Sequence, residues 1–281
     1  MSKRVVFTRK LYLIAFLLII SIAATSCTGI GIRSITSKEH FKKQPATTAQ
    51  DTVPATSSAE TTAPETMDET VPEVTDHPVE SKWFDDAVFV GDSVTLKLSY
   101  YANSHPEALS KAQFFCAGSL GYASSLWDKD AEDAVHPYYQ GKVELAEDSV
   151  KLTGAKKAFI MLGMNDVGLY GADGAIDYCS QLVERLRKKS PKNTVIYLQT
   201  VTPILKGKER GDLTNEHIQE FNRLLEDFCA ENNCKFLDIY SVMEDENGYL
   251  KSEYCGDPEA QGIHFTDAAC RLWVEYLKDN V

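Results

Sequence analysis

Five short apolar segments that alternate with amphipathic helical segments are the feature that most constrains the fold of this chain. The apolar segments, each typical of a buried strand, are residues 87–90, 113–117, 158–162, 195–199 and 235–239. Apolar residues recur at helical spacing in residues 176–188, 216–230 and 268–277. Strands that are apolar on both faces need cover on both sides, and helices between them supply it. The sequence therefore predicts an α/β domain with a central parallel sheet of about five strands.

Small or polar residues follow the first three predicted strands. Ser93 follows the first strand, Gly121 the second and Asn165 the third. His264 lies in the segment before the last predicted helix. Because ligands of parallel sheets bind at the carboxyl ends of the strands, we expect these four residues at one edge of the sheet.

Charge separates the chain into three parts. Residues 1–43 carry eight Lys or Arg and one acidic residue, residues 44–80 carry eight acidic residues and no Lys or Arg, and residues 81–281 carry 21 basic and 32 acidic residues. With a formal net charge of −12, the chain lacks the clustered cations that bind nucleic acid. It has neither a zinc-type spacing of Cys and His nor a glycine-rich nucleotide motif, so we expect no metal and no cofactor.

The first 26 residues have the composition of an export signal. Four cations precede an apolar run of 14 residues, from Leu11 to Ala24, which is shorter than the ~20 residues of a membrane-spanning helix. The small residues before Cys27 resemble the lipobox of bacterial lipoproteins, in which the signal is cut before a Cys that then receives lipid. The usual Leu of that motif is Ala24 here, so an ordinary signal peptide and an uncleaved anchor stay open. All three alternatives predict an extracytoplasmic location, and lipidation of Cys27 predicts anchoring at the outer face of the bacterial cell membrane.

Residues 27–80 are predicted to form a disordered tether. From Pro45 to Glu80 the chain is rich in Thr, Pro, Ala and Glu and has no aromatic residue. Such a composition buries too little apolar surface to offset the entropy cost of folding. We therefore divide the chain into a lipoprotein-type signal peptide (1–26), a Thr/Pro/Glu-rich tether (27–80) and a folded domain (81–281).

Three motifs of the folded domain resemble the SGNH (GDSL-type) esterase and acylhydrolase family. The motifs, which follow predicted strands in the order of that family, are Gly91-Asp92-Ser93, the segment 118–121 and Gly163-Met164-Asn165-Asp166, with His264 after them. Each motif alone is common, but their order and their shared position make the resemblance specific. It covers residues 81–281 and implies a three-layer α/β/α sandwich, the flavodoxin-like SGNH fold.

The resemblance implies a role for each motif residue. Ser93 would be the nucleophile and His264 the base that removes its proton. The backbone N–H groups of Ser93 and Gly121 and the side-chain amide of Asn165 would form the oxyanion hole. Gly118 is an alternative to Gly121 as the second donor.

The residue that orients His264 departs from the family pattern. The family has Asp three residues before the His, and this chain has Gln261 there. In one alternative, Asp257 or Glu259 reaches the ring from further upstream and completes a triad. Alternatively, the site would work as a Ser–His dyad oriented by Gln261 or a backbone carbonyl, or the domain would be catalytically weak and retained for binding.

The remaining side chains allow fewer conclusions. Cys229 with Cys234, and Cys255 with Cys270, are spaced so that each pair could form a disulfide or remain free thiols. Thr266 is predicted to cap the last helix. Trp127, Tyr138 and Tyr139 fall between the second and third strands; aromatic residues there line an acyl or sugar site or pack in the core, and the sequence leaves both open.

These observations predict an extracytoplasmic serine esterase or acylhydrolase that removes an acetyl or short acyl group from a glycan or a lipid. Its partners would be the ester substrate and, through the lipid anchor, the membrane, and we expect a monomer. One alternative is an O-acyltransferase that acts on cell-wall or exported polysaccharide. Another is a catalytically decayed glycan-binding lipoprotein, which the Gln at position 261 motivates.

Overall fold

The structure is a computed structural model that describes residues 78–281. The predicted signal peptide, Cys27 and the predicted tether as far as residue 77 lie outside the described residues.

Seven strands and eight α-helices make up the described part of the chain. The strands are β1 (Ala87–Gly91), β2 (Gln113–Cys116), β3 (Tyr138–Tyr139), β4 (Lys142–Val143), β5 (Lys157–Met161), β6 (Val195–Gln199) and β7 (Lys235–Leu237). The α-helices are α1 (Ser93–Ser104), α2 (Pro106–Leu109), α3 (Tyr122–Ser125), α4 (Ser149–Thr153), α5 (Val167–Lys189), α6 (Asn215–Glu231), α7 (Ile239–Met243) and α8 (Asp267–Asn280). Short 3₁₀ helices span Ser81–Phe84, Ala146–Asp148 and Ser252–Tyr254.

The five longer strands form one parallel sheet in the order β2-β1-β5-β6-β7. Successive strand residues face opposite sides, so that Val88 and Val90 pack with α5 and α6, whereas Phe89 packs with α1 and α8. Each side has its own buried apolar cluster. The predicted α/β fold with a five-stranded parallel sheet is therefore confirmed.

An aromatic stack fixes the register of the central strands. Phe89, Phe159 and Tyr197 are aligned partners on β1, β5 and β6, and their ring centroids are 4.7 Å and 4.4 Å apart. The rings are nearly parallel, at 12° and 6°. This stack keeps the carboxyl ends of β1 and β5 level with each other, which is where the site residues begin.

The structure differs from the expectations in two places. Helix α5 begins at Val167 rather than near residue 176. A kink at Gly171, where φ is +70°, separates its first turn from the rest, so the helical spacing of apolar residues does not extend across it. The hairpin β3–β4 was not predicted; Tyr138 is exposed on it, while Tyr139 packs against Phe115.

The six Cys residues of the described part are free thiols, so neither of the two candidate disulfides is formed. Five of them are buried, mainly within the two apolar clusters, where a thiol packs as a small apolar side chain. Within residues 78–281, no helix has both the length and the apolar character that a membrane crossing requires.

Candidate active site

Ser93 lies at the turn between β1 and α1. The turn is fixed by Asp92, whose side chain caps the helix by accepting a hydrogen bond from the Val94 N–H at 2.9 Å. Ser93 is thus the first residue of a 12-residue helix. Its N–H lies at the positive end of the helix dipole, a position that favours negative charge nearby.

Ser93, His264 and Asp257 form one hydrogen-bonded chain. The His264 Nε2 atom is 2.9 Å from the Ser93 Oγ, and the His264 Nδ1 atom is 2.7 Å from an Asp257 carboxylate oxygen. With Nδ1–H donated to the carboxylate, Nε2 is left free to accept the serine proton. The geometry therefore has the acid, base and hydroxyl order of a nucleophilic serine site.

Asp257 reaches His264 because the segment between them folds around the Asp257 carboxylate. That carboxylate accepts hydrogen bonds from the backbone N–H groups of Ile263 and His264, both at 3.1 Å, and of Gln261 at 3.3 Å. Of the three candidate orienting residues, Asp257 is the one that bonds the ring; in the described chain, the side chains of Glu259 and Gln261 make no hydrogen bond. Thr266 caps α8 directly after this segment, as predicted.

The hydrogen bonds to Asp257 keep it ionised. Burial acts to raise the pKa of the Asp257 carboxyl, but the hydrogen bonds from the His264 ring and backbone outweigh it and hold the pKa below its ordinary value. An ionised partner stabilises the imidazolium that forms when His264 takes a proton.

The Asn165 side-chain amide lies between the β1 and β2 loops. Its Nδ2 atom donates to the Leu120 carbonyl oxygen at 3.0 Å and is 3.4 Å from the Asp92 Oδ2. The preceding glycine, Gly163, has φ of +120°, a conformation that side chains disfavour, and a Cβ there would lie 2.7 Å from Val201. This tight turn places Asn165 at the edge of the sheet.

Gly121 lies in the same pocket as Asn165, whereas Gly118 is exposed. The Asp166 carboxylate holds the Gly121 loop by accepting the N–H groups of Tyr122 at 2.8 Å and Ala123 at 3.0 Å. A Cβ on residue 121 would approach the Asp166 oxygens to 2.7 Å, so the loop needs glycine here. The Gly121 N–H itself donates to the Ser124 Oγ at 2.9 Å.

Burial also raises the pKa of two carboxyls beside the site. Burial raises the pKa of Asp92 to about 7, although the Val94 N–H and the nearby His264 act in the opposite direction. Burial likewise raises the pKa of Asp166, against the two N–H groups that it accepts.

A pocket of about 190 Å³ opens beside Gly121 and Asn165. We call it the Trp127 pocket, and its outer wall consists of Trp127, Leu169 and Tyr170. The sequence left open whether Trp127 lines a ligand site or packs in the core, and the sequence analysis did not identify Leu169 or Tyr170. Their signal was present, because Leu169 and Tyr170 lie just after the Asn165 motif, between Gly168 and the kink at Gly171.

No cluster of three or more His, Cys, Asp or Glu side chains within residues 78–281 is arranged to hold a metal ion.

Comparison with known proteins identifies one family. A family described as GDSL-like Lipase/Acylhydrolase matches residues 89–272. A comparison with curated protein sequences found no match.

Several solved structures share the fold. A Streptococcus pneumoniae protein provisionally named a platelet activating factor is 19% identical, with a TM-score of 0.51 over 71% of this chain and 89% of its own. A Bacteroides fragilis protein provisionally named an acylhydrolase is 18% identical, with a TM-score of 0.50 over 75% of this chain and 92% of its own. At these identities the likeness shows the fold alone.

Replacing Asp257 is expected to lower turnover far more than replacing its neighbours. Asp257→Asn removes the charge and the acceptor that fixes the His264 tautomer, so kcat should fall by roughly three to four orders of magnitude. Glu259→Gln and Gln261→Ala should leave kcat close to the wild-type value. Initial rates of ester hydrolysis measure all three, and a loss in Gln261→Ala equal to that in Asp257→Asn would contradict the assignment.

The raised pKa of Asp92 predicts a pH-dependent stability. The unfolded carboxyl titrates near about pH 4, so from there to about pH 7 the folded state holds an additional proton. The stability that Asp92 contributes is therefore fully present below about pH 4 and is lost as the pH rises through 7. Asp92→Asn cannot ionise, so its free energy of unfolding should rise relative to wild type between pH 5 and pH 8. Urea unfolding at pH 5 and pH 8 measures the free energy of unfolding of both proteins. The same difference between variant and wild type at the two pH values would contradict the prediction.

Proposed function

Since this chain belongs to the GDSL-like lipase/acylhydrolase family of ester-hydrolysing serine hydrolases, we propose that it removes an acetyl or short acyl group from a glycan or lipid ester outside the cytoplasmic membrane. The single observation that carries the proposed chemistry is the hydrogen-bonded chain from Ser93 through His264 to Asp257. The proposed location is supported by the export-signal composition of residues 1–26.

In the proposed first half-reaction, the Ser93 Oγ attacks the ester carbonyl carbon while the His264 Nε2 removes the serine proton. The carbonyl oxygen becomes an oxyanion, which the Ser93 N–H, the Gly121 N–H and the Asn165 amide stabilise. The imidazolium is stabilised by Asp257. It then protonates the leaving alcohol, and an acyl-Ser93 ester remains.

In the second half-reaction, His264 removes a proton from water, and the hydroxide attacks the acyl-Ser93 carbonyl. The same donors stabilise the second oxyanion, and His264 returns the proton to Ser93 as the acid is released. The side chain of His264 is 31% exposed, so water has access to the acyl-enzyme. That exposure supports hydrolysis over transfer to another alcohol.

The first test is the hydrolysis of p-nitrophenyl acetate. Ser93→Ala removes the nucleophile and should abolish turnover without unfolding the domain. Asn165→Ala removes one oxyanion donor and should lower kcat by roughly two to three orders of magnitude. Thermal unfolding of both variants provides the check on folding.

Two outcomes of this assay would contradict the proposal. Wild-type turnover in a folded Ser93→Ala variant would show that Ser93 is not the nucleophile. Acylated sugar that forms faster than free acetate when a sugar acceptor is added would show a transferase instead.

The proposed anchor is tested by Cys27→Ser in a bacterial host. If Cys27 receives lipid, the wild-type chain should sediment with membranes, whereas the Cys27→Ser chain should appear in the soluble extracytoplasmic fraction or keep an uncleaved signal. Immunoblots of the fractions and the mass of the mature chain measure both. Equal fractionation and equal mass of the two chains would contradict lipidation.

A further inference from the structure

The Trp127 pocket adjoins part of the proposed oxyanion hole. Gly121 and Asn165, two of the proposed oxyanion donors, form its inner wall. A group bound in this pocket is therefore attached to, or next to, the ester carbonyl. The chemical class of that group follows from the lining of the pocket, and its assignment rests on the proposed esterase function.

Large apolar side chains are exposed around this pocket. Of the eight that are exposed in residues 78–281, three line it: Trp127 at 44%, Leu169 at 75% and Tyr170 at 41% relative exposure. The Tyr170 ring is held edge-on against Tyr178, with centroids 5.0 Å apart. Exposed aromatic rings grouped at a concave site indicate a ligand that covers them.

Polar residues also line the pocket. Ser119, Ser124 and Asp133 line it together with Asn165 and Asp166. Ser124, Asn165 and Asp166 form hydrogen bonds within the protein, whereas Ser119 and Asp133 are exposed, and a fatty acyl chain over these two would displace water without offering a hydrogen bond. A sugar ring suits both the aromatic and the polar lining, because its C–H face packs on an aromatic ring while its hydroxyls bond to polar side chains.

The charge around the pocket disfavours an anionic ligand. Two acidic residues, Asp133 and Asp166, line the pocket, and no Lys or Arg does so. The chain segment that follows Trp127 carries the exposed acids Asp128, Asp130 and Glu132. The neighbouring Lys129 is already paired with Glu144 at 2.9 Å. Phosphate or carboxylate groups would be repelled there, so an uncharged ligand fits best.

Two pocket residues also have an unfavourable backbone conformation. Ser119 and Asp133 both have φ of +64°, and they are two of the five non-glycine residues with positive φ in the described chain. Such strain persists where the surrounding structure imposes it, which is frequent at ligand sites. The volume of about 190 Å³ is below the roughly 300–1,000 Å³ of pockets for drug-sized ligands, which suits a single sugar unit.

We propose that the Trp127 pocket binds an uncharged sugar unit that carries the scissile ester, with the sugar ring packed on Trp127 and Tyr170. The substrate class is then an O-acylated neutral glycan rather than an acyl lipid or an anionic polymer.

The test compares mono-O-acetylated methyl glycosides with methyl acetate, which has the same scissile bond and no ring. The panel contains gluco, galacto, xylo and N-acetylgluco glycosides, and kcat/KM is measured in a pH-stat. At least one neutral glycoside should exceed methyl acetate by tenfold or more. Trp127→Ala and Tyr170→Ala should each reduce that preference about tenfold, mainly through KM. Tyr138→Ala, which removes an exposed aromatic ring outside the pocket, is the matched control and should keep the preference.

A second pair of substrates tests the effect of negative charge on the ligand. An acetylated methyl glucuronide has the glucoside ring with a carboxylate in place of the C6 hydroxymethyl group, and it should be hydrolysed more slowly than the glucoside. Asp133→Asn should narrow that gap, since Asn tolerates the same positive φ and removes one negative charge.

Binding is measured separately from turnover. In Ser93→Ala, the preferred methyl glycoside should change the tryptophan fluorescence, and Trp127→Phe should remove the change while Trp83 and Trp273 remain. If binding depends on Trp127 but no ester is turned over, the proposed function fails and the sugar site stands. If no neutral glycoside is preferred over methyl acetate, or if Trp127→Ala and Tyr138→Ala behave alike, the sugar site is overturned.

Discussion

The contact between the Asp257 carboxylate and its own downstream segment is the interaction on which the proposed site depends. One side chain accepts three backbone N–H groups and the His264 ring, so the same carboxylate folds the loop and orients the imidazole. Charge-assisted hydrogen bonds of this kind are stronger than neutral ones. The loop conformation and the orientation of the His264 ring are consequently not independent properties, and a change in the loop would move the ring.

The sheet positions the proposed site residues that lie outside the His264 loop. The aromatic stack that crosses β1, β5 and β6 keeps two strand ends level, and Ser93 and Asn165 follow those ends by short turns. The buried carboxyl groups of Asp92 and Asp166 then secure the turn before Ser93 and the loop of Gly121 by accepting backbone N–H groups. The proposed oxyanion donors therefore come from three separate loops whose relative positions are fixed by core packing and by hydrogen bonds to backbone N–H groups.

The sequence predicted the parts that depend on local pattern. All five strands of the sheet and the motif residues at their ends follow from apolar runs and from turn chemistry, and the fold that they imply is confirmed. The partner of His264 could not be chosen from the sequence, because the conformation of the loop decides which of Asp257, Glu259 and Gln261 reaches the ring. Leu169 and Tyr170 were missed for a related reason: the kink at Gly171 interrupts the helical period, so their position directly after the Asn165 motif was the signal that remained. The roles of Ser93, His264, Gly121 and Asn165 remain proposals.

The hydrogen bonds of the Gly121 N–H to Ser124 and of the Asn165 amide to Leu120 have a consequence for the proposed oxyanion hole. Each of these two groups already has an acceptor within the protein. A neutral ester oxygen would be a weak competitor for them, whereas the full negative charge of a tetrahedral intermediate would be a strong one. In the proposed mechanism the internal bonds would therefore be exchanged as the charge develops, and the energy of each internal bond would be subtracted from the stabilisation that the donor gives to the oxyanion.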